Sequence, residues 1–516
     1  ATCIRHGDCE LQDVAQYVGL TRSRYHERQV AQARGRDESS PALVRDMGKC
    51  IRCLRCVKVC RDDQTVDALV FTGNGPMAGV GVRDTETQGS SACVSCGQCI
   101  LVCPTGALAE KDQTEQVIDF LADPEVVTVF QFAPALRVGL GEEFGMEPGA
   151  NVEGQIIAAL KRLGADIVLD TNFAADVVIM EEGMELIGRL RKGQRPTFTS
   201  CCPAWINFCE KHYPEALPYL SSTSSPQQCF GALAKVYLPG KMGIDASRIR
   251  VVSLMPCTAK KDEAARKLFQ RNGVPDVDVV LTTREFARLL RREQINLAKL
   301  EPMGFDNPYM GGYSGAAAIF GTTGGVMEAA VRTMYAVLNG TELQGIEVAA
   351  LRGFDNVREA TVDMGGEFGV VRMAMCHGLA GTRRMVEAVL AGETTYDFIE
   401  IMACPGGCVD GGGHLRSKKA YQPNALKRRE AIYNVDRAKP VRQSHNNPMV
   451  QALYKDFVGQ PLSDAAHELL HTHYISRKRQ VQRTIADIWR EITLSTKVHS
   501  EYDALEQAGQ CGLGSR

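Results

Sequence analysis

The stretch CIRCLRCVKVC, residues 50–60, decides the fold of the N-terminal part of the chain. Its four cysteines follow the spacing C-x2-C-x2-C-x3-C, and the same spacing returns in CVSCGQCILVCP, residues 93–104. Such a run wraps three thiolates around one face of a [4Fe–4S] cube, and its fourth cysteine reaches a second cube. Zinc is the alternative, but zinc prefers four ligands from paired C-x2-C knuckles. The doubled run therefore predicts two cubane clusters.

The run and its closing Pro104 are those of bacterial ferredoxins, which gives the ligands of each cluster. The first predicted ligand set is Cys50, Cys53, Cys56 and Cys103. The second predicted set is Cys93, Cys96, Cys99 and Cys60. Two linked clusters carry electrons and do no bond chemistry themselves, so a site that uses the electrons is expected further along the chain.

The composition is that of a globular protein with an unusual number of cysteines. The chain has 516 residues, 44% of them hydrophobic and 23% charged, with a net charge of −2 and 19 cysteines. Cysteines clustered at C-x2-C spacing in a large chain indicate metal binding rather than disulfides. The near-neutral charge gives no basic field for nucleic acid, and we find neither an apolar run that could span a bilayer nor a signal peptide. These features predict a cytoplasmic protein.

Beyond residue 124, apolar runs alternate with amphipathic stretches. EVVTVFQFAP (125–134) predicts a buried strand, NVEGQIIAALKRLG (151–164) a helix, and ADIVLDT (165–171) the next strand. This alternation predicts an α/β fold with largely parallel strands. Residues 1–45 are polar and predicted to be helical, and residues 445–500 return to a helical pattern.

Three stretches in this part combine cysteine with strand ends. They are TSCCPAW (199–205), MPCTAKKDE (255–263) and IMACPGGCVDGGG (401–413). Loops beyond the carboxyl ends of strands are where α/β proteins build sites, and glycine lets the backbone approach a bulky group. Four cysteines of these loops could hold a further cubane: Cys202, Cys257, Cys404 and Cys408. The alternative is that they are buried as small apolar side chains.

These three stretches closely resemble the three signatures of the [FeFe]-hydrogenase catalytic domain, and the double cluster run ahead of them matches the same family. The resemblance implies a two-lobed catalytic domain of mixed, largely parallel sheets with helices, preceded by a double [4Fe–4S] ferredoxin-like domain. It implies an H-cluster, in which a cubane is joined to a two-iron subsite carrying CO, cyanide and azadithiolate. Cys202, Cys257 and Cys404 would ligate the cubane alone, and Cys408 would bridge it to the two irons.

The resemblance also divides the chain into parts. Residues 1–45 would be the remnant of an N-terminal cluster domain, 46–110 the ferredoxin-like domain, 125–475 the catalytic domain, and 476–516 a C-terminal helical extension. Residues 111–124 read as a helical link.

The same family uses five residue types as a proton path, and all five are present. The matching positions are Cys201, Glu182, Ser221, Glu185 and Arg189. From spacing alone, Glu182, Glu185 and Arg189 share one helix face, which ordinarily indicates a solvated ion pair. Cys201 would remain a free thiol, whose ordinary pKa of about 8.5 allows proton transfer in both directions. Simple packing is the alternative for Cys201.

Other positions match the pocket around the family's two-iron subsite. Lys260 would donate a hydrogen bond to a cyanide, and Gln227 would face a CO. The remaining wall is predicted to consist of Pro134, Met255, Met402 and Phe320. Without the resemblance, Lys260 would be interpreted as a surface lysine, and Met255, Met402 and Phe320 as ordinary core.

The chain departs from the common family pattern at three positions. Ala204 stands where glycine is frequent, Ala135 where a serine often donates to a cyanide, and Asp410 where asparagine is common. None of them is a predicted ligand. These departures put in doubt whether the preferred direction of the reaction and the sensitivity to oxygen are those common in the family.

The start of the chain, ATCIRHGDCELQDVA (1–15), resembles the second half of a His-Cys3 cluster motif. Cys3 and Cys9 would be its last two ligands, and the histidine and first cysteine would precede residue 1. A [2Fe–2S] domain often comes before this motif in relatives. His6 is out of register with a ligand position.

The resemblance predicts a hydrogenase that interconverts 2H+ + 2e− and H2. Its electrons would come from ferredoxin or from flavin- and NAD-binding subunits, and maturation proteins would supply the two-iron unit. One alternative is a non-catalytic, hydrogenase-like iron–sulfur protein that serves cluster assembly, which would not need the proton path. A sensory hydrogenase is the other alternative, although the C-terminal tail contains no recognisable signalling domain.

Overall fold

The computed structural model describes residues 3, 5–7, 9–21, 35–74, 78–85, 87–343, 345, 347–352, 355–415 and 421–478. The chain divides into two compact units, Ala1–Ser476 and Arg477–Arg516. The second unit lies almost wholly outside the described residues, and so does the predicted helical extension at 476–516.

The strands of the described residues have the following bounds: β1 Arg36–Asp37, β2 Leu43–Asp46, β3 Leu69–Thr72, β4 Gly79–Val82, β5 Leu108–Glu110, β6 Val127–Phe132, β7 Ile167–Asp170, β8 Thr197–Phe198, β9 Ile249–Met255, β10 Gln270–Arg271, β11 Val274–Pro275, β12 Val279–Thr282, β13 Val357–Asp363, β14 Val370–His377 and β15 Phe398–Met402.

The α-helices of the described residues have the following bounds: α1 Glu10–Tyr17, α2 Arg55–Lys58, α3 Gln98–Val102, α4 Thr114–Ala122, α5 Leu136–Gly139, α6 Glu153–Leu163, α7 Thr171–Arg191, α8 Pro203–His212, α9 Pro226–Met242, α10 Ala259–Ala264, α11 Thr283–Arg292, α12 Gly315–Ala318, α13 Gly325–Asn339, α14 Leu379–Leu390, α15 Tyr421–Ala438, α16 Pro448–Leu453 and α17 Asp464–Leu470. None of these helices is long and apolar enough to cross a membrane.

The two cysteine runs form similar loops beside small antiparallel sheets. Strands β1, β2 and β5 form one sheet, and β3 and β4 form a hairpin. The residues two and four positions after the first cysteine of each run have positive φ: Arg52 and Leu54 in the first, Ser95 and Gly97 in the second. The matched backbone turns explain how the two runs wrap their thiols in the same way.

The prediction of a helical segment over residues 1–45 is wrong for its last part. Leu43 and Val44 are buried in β2, where they pair with Glu110 and Ala109 of β5. Pairing with a strand more than sixty residues away supplies the hydrogen bonds that a local pattern cannot reveal. Helix α1 is the helical portion of this region among the described residues.

Two four-stranded sheets form the core of the rest of the chain, and they confirm the predicted α/β class. The first has the order β12-β9-β6-β7 and is parallel throughout. The second has the order β13-β14-β15-β8, in which only the pairing of β13 with β14 is antiparallel. The predicted strand at 125–134 is β6, and the predicted helix at 151–164 contains α6.

The carboxyl ends of strands from both sheets lead into the predicted site. In the second sheet, β8 is followed by Cys201 and Cys202, and β15 by Cys404. In the first sheet, β9 is followed by Cys257, and β6 by Pro134. Parallel strands present their carboxyl ends at one edge, and ligand sites are commonly built there.

The loop after β15 packs closely on the second cysteine run. A Cβ atom added to Gly412 would overlap the backbone carbonyl oxygen of Cys96. On the same seam, the Thr258 hydroxyl donates to the Ser95 carbonyl at 2.7 Å, and the Asn207 amide donates to the Val94 carbonyl at 3.3 Å. The ferredoxin-like part is therefore in direct backbone contact with the loops that carry the separate cysteines.

We expect Gly412→Ala to lower the thermal unfolding temperature, because the clash is with backbone and no rotamer change can relieve it. Overpacking of this kind costs about 1–3 kcal/mol. Gly240→Ala is the matched control, since a Cβ there meets no atom within 4 Å. Equal unfolding temperatures for the two variants would contradict the close contact at this seam.

Candidate active site

The four separate cysteines line one cavity. Cys202, Cys257, Cys404 and Cys408 line it together with the neighbouring Cys201. Cys202 directly precedes α8 in the segment after β8, Cys257 lies between β9 and α10, and Cys404 and Cys408 flank the Pro-Gly-Gly turn after β15. The structure therefore brings together all the thiols that the sequence proposed for the third cluster.

Glycine shapes the turn between Cys404 and Cys408. Gly407 lines the cavity with a φ of +91°, a conformation that L side chains rarely adopt. A Cβ added there would lie 2.7 Å from the Thr323 backbone nitrogen. The turn can therefore curve around the cavity only because a side chain is missing at this position.

The cavity is unfavourable for ionised thiols on their own. Burial raises the pKa of Cys257 to about 12, and nearby Cys202 adds to the increase. Burial likewise raises the pKa of Cys404 well above its ordinary value, with Cys257 and Cys202 contributing. Iron in a cluster would supply the positive charge that lets buried thiols bind as thiolates. The donor set, its burial and the glycine turn thus fit an iron–sulfur group.

The eight cysteines of the doubled run fall into the two predicted groups. Cys50, Cys53, Cys56 and Cys103 line one small cavity. Burial raises the pKa of Cys56 to about 12, and the thiols of Cys103, Cys50 and Cys53 add to it. In the second group, burial raises the pKa of Cys99, and Cys96, Cys93 and Cys60 contribute. Their roles as ligands remain predictions.

The second group lies next to the large cavity. Cys257 is close enough to Cys96 to contribute to its raised pKa, after burial and its own group's thiols. Cys96 contributes in turn to the raised pKa of Cys404, for which burial is the main cause. Within the described residues, no three His, Cys, Asp or Glu side chains converge closely enough to hold a single metal ion.

The predicted wall residues line the same cavity as the four separate cysteines. The cavity is lined by Pro134, Met255, Met402, Phe320 and Gln227. Gln227 donates to Glu263 at 3.0 Å, whereas its buried Oε1 has no hydrogen bond partner among the described residues. The wall is thus mainly apolar, with one unpaired acceptor.

Lys260 is a buried lysine with a buried counter-charge, not a surface lysine. Its Nζ lies 2.9 Å from Glu263 Oε2 and donates to the Cys201 carbonyl at 3.2 Å. The same carboxylate oxygen accepts from Ser225 at 2.9 Å. Burial acts to lower the pKa of Lys260, but Glu263 outweighs it and the pKa is raised. Lys260 is therefore a fixed cation at the cavity.

Sequence reasoning missed Glu263, although the signal was present. It follows Lys260 by three residues, on the same face of α10. A lysine expected inside a dry pocket requires a paired carboxylate, and this spacing supplies it.

Cys201 and Glu182 form the inner part of the predicted proton path. Burial raises the pKa of Cys201 well above its ordinary value, and Glu182 is the next cause. Burial also raises the pKa of Glu182 to about 8, and Glu185 adds to the increase. Neither carboxyl oxygen of Glu182 makes a hydrogen bond among the described residues, although Ser221 is near enough to oppose the increase in this pKa. Burial therefore favours the neutral form of both side chains at pH values below about 8.

The outer part of the path is joined by direct hydrogen bonds. Ser221 Oγ donates to Glu185 Oε2 at 2.7 Å, and Arg189 Nε donates to Glu185 Oε1 at 3.0 Å. Arg189 also donates to the Leu220 carbonyl at 2.6 Å, so its guanidinium is anchored on both sides. The solvated ion pair expected from spacing alone is instead a mostly buried one, with Glu185 only 12% exposed.

The three departures are all buried. Ala204 lines the cavity, Ala135 is fully buried directly after Pro134, and Asp410 is 6% exposed. Burial raises the pKa of Asp410 to about 7, although Arg428 opposes the change.

The structure places Cys3 and Cys9 beside the end of the second cysteine run. Cys9 is buried, and a Cβ added to Gly106 would lie 2.9 Å from Cys3 Sγ. The side chain of His6 is exposed and contacts Gln12 at 2.9 Å. A cluster at Cys3 and Cys9 remains a prediction.

Comparison with protein families gives three matches along the chain. Residues 126–412 match the family described as iron only hydrogenase large subunit, C-terminal domain. Residues 422–477 match the iron hydrogenase small subunit, and residues 41–107 match a 4Fe-4S dicluster domain.

Individual proteins and a solved structure are similar to this chain as well. An NADP-reducing hydrogenase subunit, HndD, from Solidesulfovibrio fructosivorans is 44% identical over 488 residues, which is 92% of this chain and 82% of the relative. An apo [FeFe]-hydrogenase structure from Chlamydomonas reinhardtii superposes with a TM-score of 0.63 at 39% identity, covering 72% of this chain and all of that one. A cytosolic iron-sulfur assembly component from Mus musculus is 30% identical, covering 74% of this chain and 82% of the relative.

The neutral state of Glu182 leads to a pH-dependent stability. The folded carboxyl binds its proton more tightly than the unfolded one, so stability should be lost as pH rises from about 4.5 through about 8. Glu182→Gln has no such loss, and its unfolding temperature relative to the parent should rise between about pH 5 and about pH 9.

Glu147→Gln is the control, because the Glu147 side chain is 90% exposed. Its difference from the parent should not change with pH. A Glu182→Gln difference that is equally flat would show that Glu182 ionises normally.

Proposed function

The chain belongs to the iron-only hydrogenase family, and we propose that it catalyses the reversible reaction 2H+ + 2e− ⇌ H2 at an H-cluster. The observation that supports this most directly is the position of Cys201. It is a fifth thiol lining the cavity of the four proposed ligands, and it adjoins the buried carboxyl of Glu182. A protein that only stored or carried clusters would need the ligands but no proton-carrying thiol next to them.

The proposed ligands divide as the family resemblance indicates. Cys202, Cys257 and Cys404 would hold the cubane, and Cys408 would join it to the two-iron unit with its CO, cyanide and azadithiolate ligands. When bound, this cluster would supply the redox chemistry that combines protons and electrons. Pro134, Met255, Met402 and Phe320 would keep bulk water from it, and Lys260 and Gln227 would present polar atoms to its diatomic ligands.

The chain's own residues would move the protons. Cys201 would exchange a proton with the cavity, and Glu182 would receive it from or deliver it to Ser221 and Glu185. A carboxyl whose pKa is about 8 suits this step, because it gains and loses a proton near neutral pH. The Arg189 guanidinium donates hydrogen bonds to Glu185 and to the Leu220 carbonyl, so it would hold Glu185 in place rather than carry the proton itself.

Electrons would reach the cavity through the doubled cysteine run. The group of Cys60, Cys93, Cys96 and Cys99 borders the large cavity, and the group of Cys50, Cys53, Cys56 and Cys103 lies next along the chain of clusters. Because one relative is named an NADP-reducing hydrogenase subunit, flavin- and NAD-type subunits are the favoured electron partners, with ferredoxin as the other. Maturation proteins would install the two-iron unit.

The domain boundaries at 45, 110 and 125–475, the Cys3–Cys9 cluster, a preceding [2Fe–2S] domain and a cytoplasmic location stay predictions of this proposal. The iron–sulfur assembly relative represents the main competing function, and a sensory hydrogenase represents the other. Neither would depend on turnover through Cys201.

One experiment separates these functions. The protein would be matured anaerobically with a synthetic two-iron complex, and its infrared spectrum and H2 evolution would then be measured. CO and cyanide bands together with H2 evolution support the proposal. Intact cubanes without those bands would favour the assembly-type function, and bands with very slow turnover would favour a sensor.

We expect Cys201→Ala to retain its iron and its infrared bands but to evolve H2 at least about 100-fold more slowly, the contribution typical of a general acid–base group. Cys376→Ala is the matched control, because Cys376 is a buried thiol in β14, outside the cavity lining. Parental gas evolution by Cys201→Ala would refute the proposed role of this thiol.

A further inference from the structure

The loop that carries Ser221 is held by backbone pairing on both sides. On one side, the Ser221 amide donates to the Phe198 carbonyl at 2.8 Å. On the other, the Thr472 amide donates to the Ser222 carbonyl at 2.8 Å, and the Ser224 amide donates to the Leu470 carbonyl at 2.7 Å. Residues 221–224, here called the relay loop, thus lie between the end of β8 and the segment that follows α17.

Within the relay loop, Ser222 joins Ser221 in binding Glu185. Its backbone amide donates to both carboxylate oxygens of Glu185, at 3.1 and 3.0 Å. Its hydroxyl lies 2.9 Å from His471 Nδ1. Ser222 therefore connects a residue of the proposed proton path to a histidine that the path does not include.

His471 is itself anchored by a buried carboxylate. Its Nε2 lies 3.1 Å from Glu181 Oε2, and the two side chains are 3% and 0% exposed. Glu181 also accepts from the Tyr454 hydroxyl at 2.5 Å and from the Leu462 amide at 2.8 Å. With these partners, Glu181 fixes the imidazole so that Nδ1 points at Ser222.

The two adjacent glutamates of α7 therefore have separate surroundings. Glu182 borders Cys201 near the cavity, whereas Glu181 binds the segment after α17. Each ring nitrogen of His471 has its own partner inside the protein, so the imidazole has no free nitrogen with which to pass protons to solvent. Its arrangement suits holding the loop rather than carrying protons.

We propose that His471 is a positioning residue of the proton path. Through Ser222 it holds the relay loop so that Glu185 stays within reach of Ser221. The segment at residues 422–477, which matches the small-subunit family, thereby completes the path that begins at Cys201. This inference rests on the proposed hydrogenase function, but its first test does not require activity.

The first test measures hydrogen exchange of the relay loop by mass spectrometry. His471→Gln places its amide near the position of Nε2, so it can still bind Glu181 while losing the contact with Ser222. We expect the amides of residues 221–224 to exchange about tenfold faster than in the parent, the effect of one lost hydrogen bond. His471→Asn places its amide near the position of Nδ1 and should restore parental exchange.

The second test measures catalysis in the matured protein. We expect His471→Gln to evolve H2 about tenfold more slowly, with a larger solvent deuterium isotope effect, because proton delivery becomes limiting. His471→Asn should recover most of the rate. His467→Asn is the control, because this exposed histidine packs against the His471 ring at 4.5 Å without a hydrogen bond to the relay loop.

Unchanged exchange in His471→Gln, or the same increase in His467→Asn, would overturn the proposal. So would a slower rate with an unchanged isotope effect, because that is the result of general damage. A parent protein that evolves no H2 after maturation refutes the proposed function instead, and the exchange measurement still decides whether His471 holds the loop.

Discussion

The rest of the structure depends on one electrostatic constraint, which is that four thiols share a single buried cavity. Burial and mutual repulsion both oppose their ionisation, as the raised pKa values of Cys257 and Cys404 show. Such a site is stable with thiolates only when a strongly cationic group occupies its centre. Gly407 makes room for a bulky group in this cavity, and the Lys260–Glu263 pair places balanced charges beside it.

The same constraint also explains why, under the proposed function, the electron route and the proton route to the cavity are separate. Cys96 borders it from the ferredoxin-like part, across the seam at Gly412. Cys201 borders it after the end of β8, and Glu182 of α7 lies next to Cys201. Under the proposed function, electrons and protons would therefore arrive through different elements of the chain. Transfer along one route would need no conformational change in the other.

Local patterns were enough to predict part of this arrangement. The C-x2-C spacing predicts the groups around Cys56 and Cys99 because all their proposed ligands lie in two short runs. Alternating apolar runs gave the α/β class, yet they missed β2, whose stability comes from pairing with the distant β5.

The separate cysteines needed the family resemblance, since nothing local indicates that strands of two different sheets end at one cavity. Helix periodicity placed Glu182, Glu185 and Arg189 on one face but could not show which carboxyl is buried, and it gave no sign that Glu181 meets a histidine near residue 470.

The seam at Gly412 has a consequence for how such proteins diversify. A backbone carbonyl of the ferredoxin-like part lies against the α-carbon of Gly412 in the opposing loop, with no side chain between them. Two surfaces fitted this closely cannot be exchanged independently. A chimera whose ferredoxin-like part came from another protein would keep the cysteine spacing but lose the matched surface at this contact. Its electron transfer would therefore depend on restoring the packing between Gly412 and Cys96.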